Sequence, residues 1–250
     1  MKLDNYYIYY DDDLKLALEK IDENKHGFLI VLNRKNKVIG TLTDGDIRRS
    51  FIKGINLLYE VGQVSNTTFK YIYDDFSLND IVKIFKSSKI DFLPILNKKD
   101  ELVNIITKKQ LHVFLLQDLQ FNIMYDFFSL DEDILEHEIY DRPWGIYKTT
   151  FLNKYSRAKI IKIYPNGELS LQEHKKREEH WIIVKGTGKL IIGESVKFVS
   201  KGDYIFIPKG CKHKIINESN SETLTISEIQ LGKYFGEDDI IRYEDKYGRV

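Results

Sequence analysis

Between Leu169 and Trp181 the chain reads LSLQEHKKREEHW, which sets two histidines, three basic residues and three glutamates beside an apolar run. Imidazoles and carboxylates are the side chains that hold borderline divalent metals. Gln172 and His174 are two apart, so on a strand they face the same way. The same charge run also suits a solvated loop between two strands. A second stretch with chemical content is VIGTLTDGDIRR, 38–49. Its Thr43 and Asp46 have the spacing of a helix N-cap, in which a side-chain oxygen takes up a free backbone N–H.

The elements that must carry Thr43 and Asp46 come from an internal repeat. YIYYD at 7–11 returns as YIYDD at 71–75, and FLIVLNRK at 28–35 returns as FLPILNKK at 92–99, both at an offset of 64. The offset also carries Leu14, Ala17, Leu18 and Ile21 onto Leu78, Ile81, Val82 and Phe85, the apolar face of an amphipathic helix in each copy. Each copy therefore predicts one β-α-β-β-α unit, with repeats at about 1–60 and 65–118. The pattern resembles a pair of CBS domains over residues 1–120. By that resemblance Thr43 holds a phosphate near a helix start, Asp46 accepts from ribose hydroxyls, and an adenine nucleotide is a candidate ligand. The second copy departs from the pattern, with Asn104 in place of Gly40 and Gln110 in place of Asp46. At most one good nucleotide site is expected, around Thr43 and Asp46, and the helix cap is its alternative.

Residues 112–141 begin with helical apolar spacing and turn acidic, which predicts a closing helix and then a linker at 121–141. From Arg142 the texture changes to short runs such as AKIIKIY, HWIIVKG, DYIFIP and TLTISEIQ, separated by PNG, GTG, KGD and PKG. That is the pattern of an all-β sandwich or barrel. Gly202, Pro208, Gly210, His213 and Asn217 fit the second half of the cupin signature at every position. Gln172, His174, Glu179 and Gly186 fit the first half, with Gly167 one residue short of its place and glutamine where a histidine is usual. The resemblance implies a jelly-roll barrel with Gln172, His174, Glu179 and His213 around Zn2+ or another divalent metal. RPWG at 142–145, the QEHKKREEHW stretch and GEDDIIRYEDKYGR at 236–249 are similar to the cupin domain of type II mannose-6-phosphate isomerases, covering 142–250. Lys175 and Lys176 stand where that family has further histidines, and no guanylyltransferase motif occurs in this chain.

The fold class expected is α+β, an N-terminal tandem CBS pair followed by an all-β cupin barrel. The function implied is metal-dependent aldose–ketose isomerisation of a phosphorylated sugar, with nucleotide sensing by the pair, in sugar-nucleotide or surface polysaccharide biosynthesis. Glu228 is the candidate base, and Lys176 and Arg249 are the candidates for the phosphate. The competing reading is a binding protein that holds a sugar or sugar nucleotide without turnover. A formal net charge of zero, from 38 basic and 38 acidic residues, argues against a nucleic-acid partner. The single cysteine, Cys211, leaves no internal disulfide. Without an apolar secretory segment at the start or a run of about 18 apolar residues, a cytoplasmic protein with no membrane partner is expected. Paired repeats of this kind also imply a homodimer.

Overall fold

The computed structural model describes residues 3–136 and 138–248. Two compact units are present. One holds the chain up to His112 and again Gln120–Asp131, and the other holds Val113–Leu119 and the chain from Glu132 onward.

The first unit contains both copies of the repeat up to His112, and the rest of the second copy's last helix is counted with the other unit. The first copy is β1 (Tyr7–Tyr9), α1 (Leu14–Asn24), β2 (Phe28–Leu32), β3 (Val38–Thr43) and α2 (Asp44–Ile52). The second is β4 (Ile72–Tyr73), α3 (Leu78–Ser87), β5 (Phe92–Leu96), β6 (Leu102–Thr107) and α4 (Lys108–Leu116). Each copy forms a three-stranded sheet, with the first pair of strands parallel and the second antiparallel. All five residues of β2 are buried, as expected of a central strand covered on both faces. Phe28 and Phe92, equivalent under the repeat, stack with centroids 3.8 Å apart, in a core shared with Ile30, Leu32, Val38, Leu96 and Ile105.

Residues 121–141, expected as a linker, are divided between the two units. Asn104 is buried and donates from its side-chain amide to the carbonyls of Ile123 and Tyr125, both at 2.9 Å. Phe127 is fully buried, and the Phe128 ring lies 4.1 Å from Tyr6. The acidic composition of the segment hid these aromatic anchors. It also hid the reason for Asn104, which supplies the amide that holds the returning chain.

The second unit is a double-sheet jelly roll. Its strands are β7 (Ile139–Arg142), β8 (Gly145–Leu152), β9 (Ser156–Ile163), β10 (Leu171–His174), β11 (Arg177–Lys185), β12 (Thr187–Ile192), β13 (Ser195–Ser200), β14 (Tyr204–Ile207), β15 (His213–Ile216), β16 (Leu224–Gly232) and β17 (Ile240–Glu244). One sheet has the order β13-β12-β15-β10-β17, the other β14-β11-β16-β9-β8-β7. Strand β7 crosses the boundary expected at 141/142, because it pairs with β8 in a tight hairpin. Trp181, Ile183, Leu190, Ile215, Leu224 and Ile226 fill the space between the sheets.

The β7–β8 hairpin turns at Gly145, whose φ is +147°, and a Cβ there would meet the Lys162 carbonyl oxygen at 1.9 Å. Backbone on backbone cannot yield cheaply. Gly145→Ala should lower stability by about 3 kcal/mol or more in urea denaturation, above the usual cost of a strained φ. A loss under about 1 kcal/mol would mean the hairpin is free to shift.

Candidate metal centre and its cavity

Strand alternation makes one end of the barrel interior polar. On β11, Arg177, Glu179, Trp181 and Ile183 face inward, and on β16 so do Leu224, Ile226, Glu228 and Gln230. The two strands are in register, with Glu179 opposite Gln230 and Trp181 opposite Glu228. The apolar ends make the core, and the charged ends line a cavity.

Three of the four expected metal ligands converge there. The ligating atoms of His174, Glu179 and His213 all lie within 4.8 Å of one another, and all three residues are buried. His174 Nε2 is 3.0 Å from Glu179 Oε1, and His213 Nε2 is 3.5 Å from Glu179 Oε2. Among the described residues, neither ring nitrogen of His174 and not Glu179 Oε2 has a hydrogen-bond partner. Buried polar atoms without partners are costly, and a cation between them removes the cost. The His213 Nδ1 is 3.0 Å from the Cys211 carbonyl, which can only accept, so Nδ1 carries the proton and Nε2 faces the carboxylate. Gln172 lies alongside, its Nε2 3.5 Å from His213 Nε2 and its Oε1 accepting from Ser170 at 3.0 Å. Two imidazoles and a carboxylate fit a borderline divalent metal such as zinc.

Electrostatics tie the three together. Burial pushes the Glu179 carboxyl up, but the contacts from His174 and His213 outweigh it and hold the group well below the ordinary carboxylate range. Burial pushes the His213 imidazole down, but Glu179 and the Cys211 carbonyl reverse the shift and raise it.

Glu228, the candidate base, is buried in the same cavity. Trp181 Nε1–H donates to its Oε2 at 2.8 Å, and Gln230 donates to its Oε1 at 3.0 Å. Lys159 Nζ, on a side chain only 12% exposed, is 3.2 Å from Oε1. Burial pushes the Lys159 ammonium below the ordinary lysine range, with Glu228 opposing. Gln230 also donates to Glu179 at 2.8 Å, so one amide links the metal carboxylate to the candidate base.

Lys176 is not in the cavity. Strand β10 ends at His174, so alternation does not extend through the turn at 175–176. The Lys176 side chain is exposed and lies over the Tyr234 ring at 4.3 Å. Arg249 lies outside the described residues. The cations that do line the cavity are Arg142, Arg157, Lys159, Arg177 and Arg242. Buried Asp239 accepts from the backbone N–H of Lys175 and Lys176 and from Arg177, fixing the turn between the two ligand strands. The parity of β9 could have found Arg157 and Lys159, since both are an even number of residues from the buried Ile161 and Ile163.

In the first unit Thr43 and Asp46 form a reciprocal capping box on α2. Thr43 Oγ1 accepts from Asp46 N at 3.2 Å, and Asp46 Oδ2 accepts from Thr43 N at 2.9 Å and from Thr43 Oγ1 at 2.6 Å. Arg49 takes the other oxygen at 2.6 Å. Thr107 and Gln110 repeat the arrangement on α4, which shows why glutamine can stand in the second copy.

Known proteins agree with this division. The family model described as mannose-6-phosphate isomerase C-terminal matches residues 130–245, and the CBS domain model matches 1–53 and 61–116. A mannose-1-phosphate guanylyltransferase of Salmonella montevideo is 42% identical over 118 residues, 47% of this chain and 25% of that protein. The xanthan biosynthesis protein XanB of Xanthomonas campestris pv. campestris is 41% identical over 109 residues, 44% of this chain and 23% of that protein. The alginate biosynthesis protein AlgA of Pseudomonas putida is 41% identical over 113 residues, 45% of this chain and 23% of that protein. The chain thus spans about a quarter of the length of these relatives. No helix among the described residues is long and apolar enough to cross a membrane. Residues 1–53 and 61–116 are a tandem pair of CBS domains, and residues 130–245 are a cupin domain of the mannose-6-phosphate isomerase C-terminal family.

Proposed function

We propose that the cupin domain isomerises a phosphorylated aldose and ketose of the mannose 6-phosphate type, as a step of sugar-nucleotide or surface polysaccharide synthesis. The observation that carries this reading is a buried His174–Glu179–His213 cluster joined through Gln230 to a second buried carboxylate, Glu228. Isomerisation moves a proton between C1 and C2 and needs a base beside a polarised oxygen. A divalent metal held by His174, Glu179 and His213, with Gln172 alongside, supplies Lewis-acid polarisation of that oxygen. Glu228 takes the proton from C2 and returns it to C1, while a second proton passes from the C2 hydroxyl to O1, so that the carbonyl moves from C1 to C2. Trp181 and Gln230 fix its orientation, and Lys159 supplies positive charge beside it. A coupled assay with mannose 6-phosphate, together with elemental analysis, tests the reading. Metal without turnover would leave a sugar-binding protein instead.

For the CBS pair the proposal is nucleotide sensing, in a protein that assembles as a homodimer. Asp46→Ala removes the capping box and should cost about 1 kcal/mol. If Asp46 also reads a ribose, calorimetry with AMP and ATP should show weaker binding by this variant. Equal binding by both proteins would restrict Asp46 to the cap.

A further inference from the structure

The polar end of the cavity is laid out as two matching rows. Across the first sheet His213, Gln172 and Arg242 are direct neighbours on β15, β10 and β17. Across the second, Glu179, Gln230 and Arg157 are direct neighbours on β11, β16 and β9. Each row runs from a candidate metal ligand through an amide to an arginine. With strands about 4.8 Å apart, the two arginines stand two spacings, about 10 Å at Cα, from the ligand residues. A carbon chain advancing a little over 1 Å per bond covers much of that distance with the length of a hexose, given C–C bonds of about 1.5 Å.

The arginine ends hold more positive charge than the one carboxylate among them, Glu237, offsets. Lys159 is paired with Glu228, and Arg177 with Asp239 and Glu179. Arg157 bonds the Thr149 hydroxyl and the Phe235 carbonyl, and among the described residues it has no carboxylate partner. Arg242 Nε is buried with no hydrogen-bond partner among the described residues. A carboxylate from the chain itself reaches into this end. Glu237 Oε1 accepts from Arg142 at 2.8 Å and from the Tyr147 hydroxyl at 2.9 Å. Burial pushes the Glu237 carboxyl up, but Tyr147, Arg142 and Arg242 outweigh it and hold it below the ordinary range. The Glu237 side chain is 50% exposed, at the mouth. The cavity behind it is about 60 Å³, room for a few waters, whereas sites for small organic ligands run to hundreds of cubic ångströms. A sugar-sized ligand can enter only if a group at the mouth gives way.

We propose that Arg142, Arg157 and Arg242, with the Tyr147 hydroxyl, form a subsite for a phosphate monoester dianion, and that Glu237 occupies it until the ligand displaces it. Planar guanidinium donors suit this anion better than an exposed ammonium. The inference rests on the cavity being a sugar-phosphate site, and it assigns the phosphate to these residues in place of Lys176 and Arg249.

The test is calorimetric titration of the full, metal-loaded chain with inorganic phosphate, then with mannose 6-phosphate and mannose. Glu237→Gln removes the competing charge at a half-exposed position and should tighten phosphate binding by roughly threefold to tenfold. Arg157→Gln and Arg242→Gln should each weaken it by roughly tenfold or more. Where a glutamine variant does not fold, the lysine variant keeps the charge, loses the fork and should bind with intermediate affinity. Lys176→Ala should match wild type. Tighter binding is not expected from loss of a merely structural contact, so equal or weaker binding by Glu237→Gln overturns the proposal. Wild-type affinity in both arginine variants also overturns it, as does phosphate binding that none of these variants moves, which would place the anion elsewhere on the chain. Mannose 6-phosphate that follows the variant order without turnover keeps the subsite and removes the isomerase reading. Turnover with unchanged KM in the arginine variants does the reverse.

Discussion

Replacing His174 or His213 by alanine should strip the purified protein of its divalent metal, from about one ion per chain to a small residue of that. The two histidines are not equivalent, and the reasons for the loss differ. Among the described residues neither nitrogen of His174 makes a well-formed hydrogen bond, and its Nε2 is held 3.0 Å from Glu179 Oε1, so the ring's contacts in the site run to that carboxylate. His213 is anchored at Nδ1 by the Cys211 carbonyl, which orients the nitrogen facing Glu179. An alanine at either place leaves one imidazole and one carboxylate, too few ligands for a stable zinc-type site. Glu179→Gln should also lose metal, and it leaves His213 without the carboxylate that holds its ring. Elemental analysis of the wild type and three variants decides. Unchanged metal content in both histidine variants would refute the ligand assignment, and full occupancy in Glu179→Gln alone would move the carboxylate out of the coordination sphere.

The repeat was legible in the sequence because helix faces and strand runs repeat at one offset, and packing obeys the same offset in Phe28 and Phe92. The approach of His174 to Glu179 was legible because its spacing follows two strands and a turn. Within the opening stretch His174 and Glu179 enter the barrel, while Lys175 and Lys176 form an exposed turn between them. The cations of the cavity were not legible. In SRAKIIKI the charges read as the solvent side of an ordinary amphipathic strand, yet Arg157 and Lys159 share parity with the buried Ile161 and Ile163. A barrel interior that changes from apolar to charged along one strand breaks the rule that inward means apolar. The register of β9 against β16, which sets Lys159 opposite Glu228 and Arg157 opposite Gln230, agrees with that parity and puts both on the cavity side. Lys176 lies outside the cavity because β10 ends at His174, so strand alternation does not reach it.

The Lys159–Glu228 pair should separate stability from catalysis. Lys159 and Glu228 side chains are 12% and 4% exposed, and the pair is closed at 3.2 Å with Trp181 and Gln230 donating to the same carboxylate. Removing one partner of a buried ion pair strands the other, at a cost of about 3–5 kcal/mol, whereas replacing both is often close to neutral. Lys159→Met alone leaves Glu228 with only its two neutral donors. Glu228→Gln alone leaves a buried ammonium, although burial already pushes Lys159 toward its neutral form and tempers that cost. Each single variant should therefore unfold at clearly lower urea, and the double variant Lys159→Met/Glu228→Gln should recover a large part of the loss. Turnover should not recover. If Glu228 moves the proton, Glu228→Gln should lower kcat by roughly 100- to 10,000-fold under conditions where the variant is folded, and the stable double variant should be no more active. Should the double variant regain both stability and activity, the carboxylate is a structural partner of Lys159 and the base lies elsewhere in the cavity.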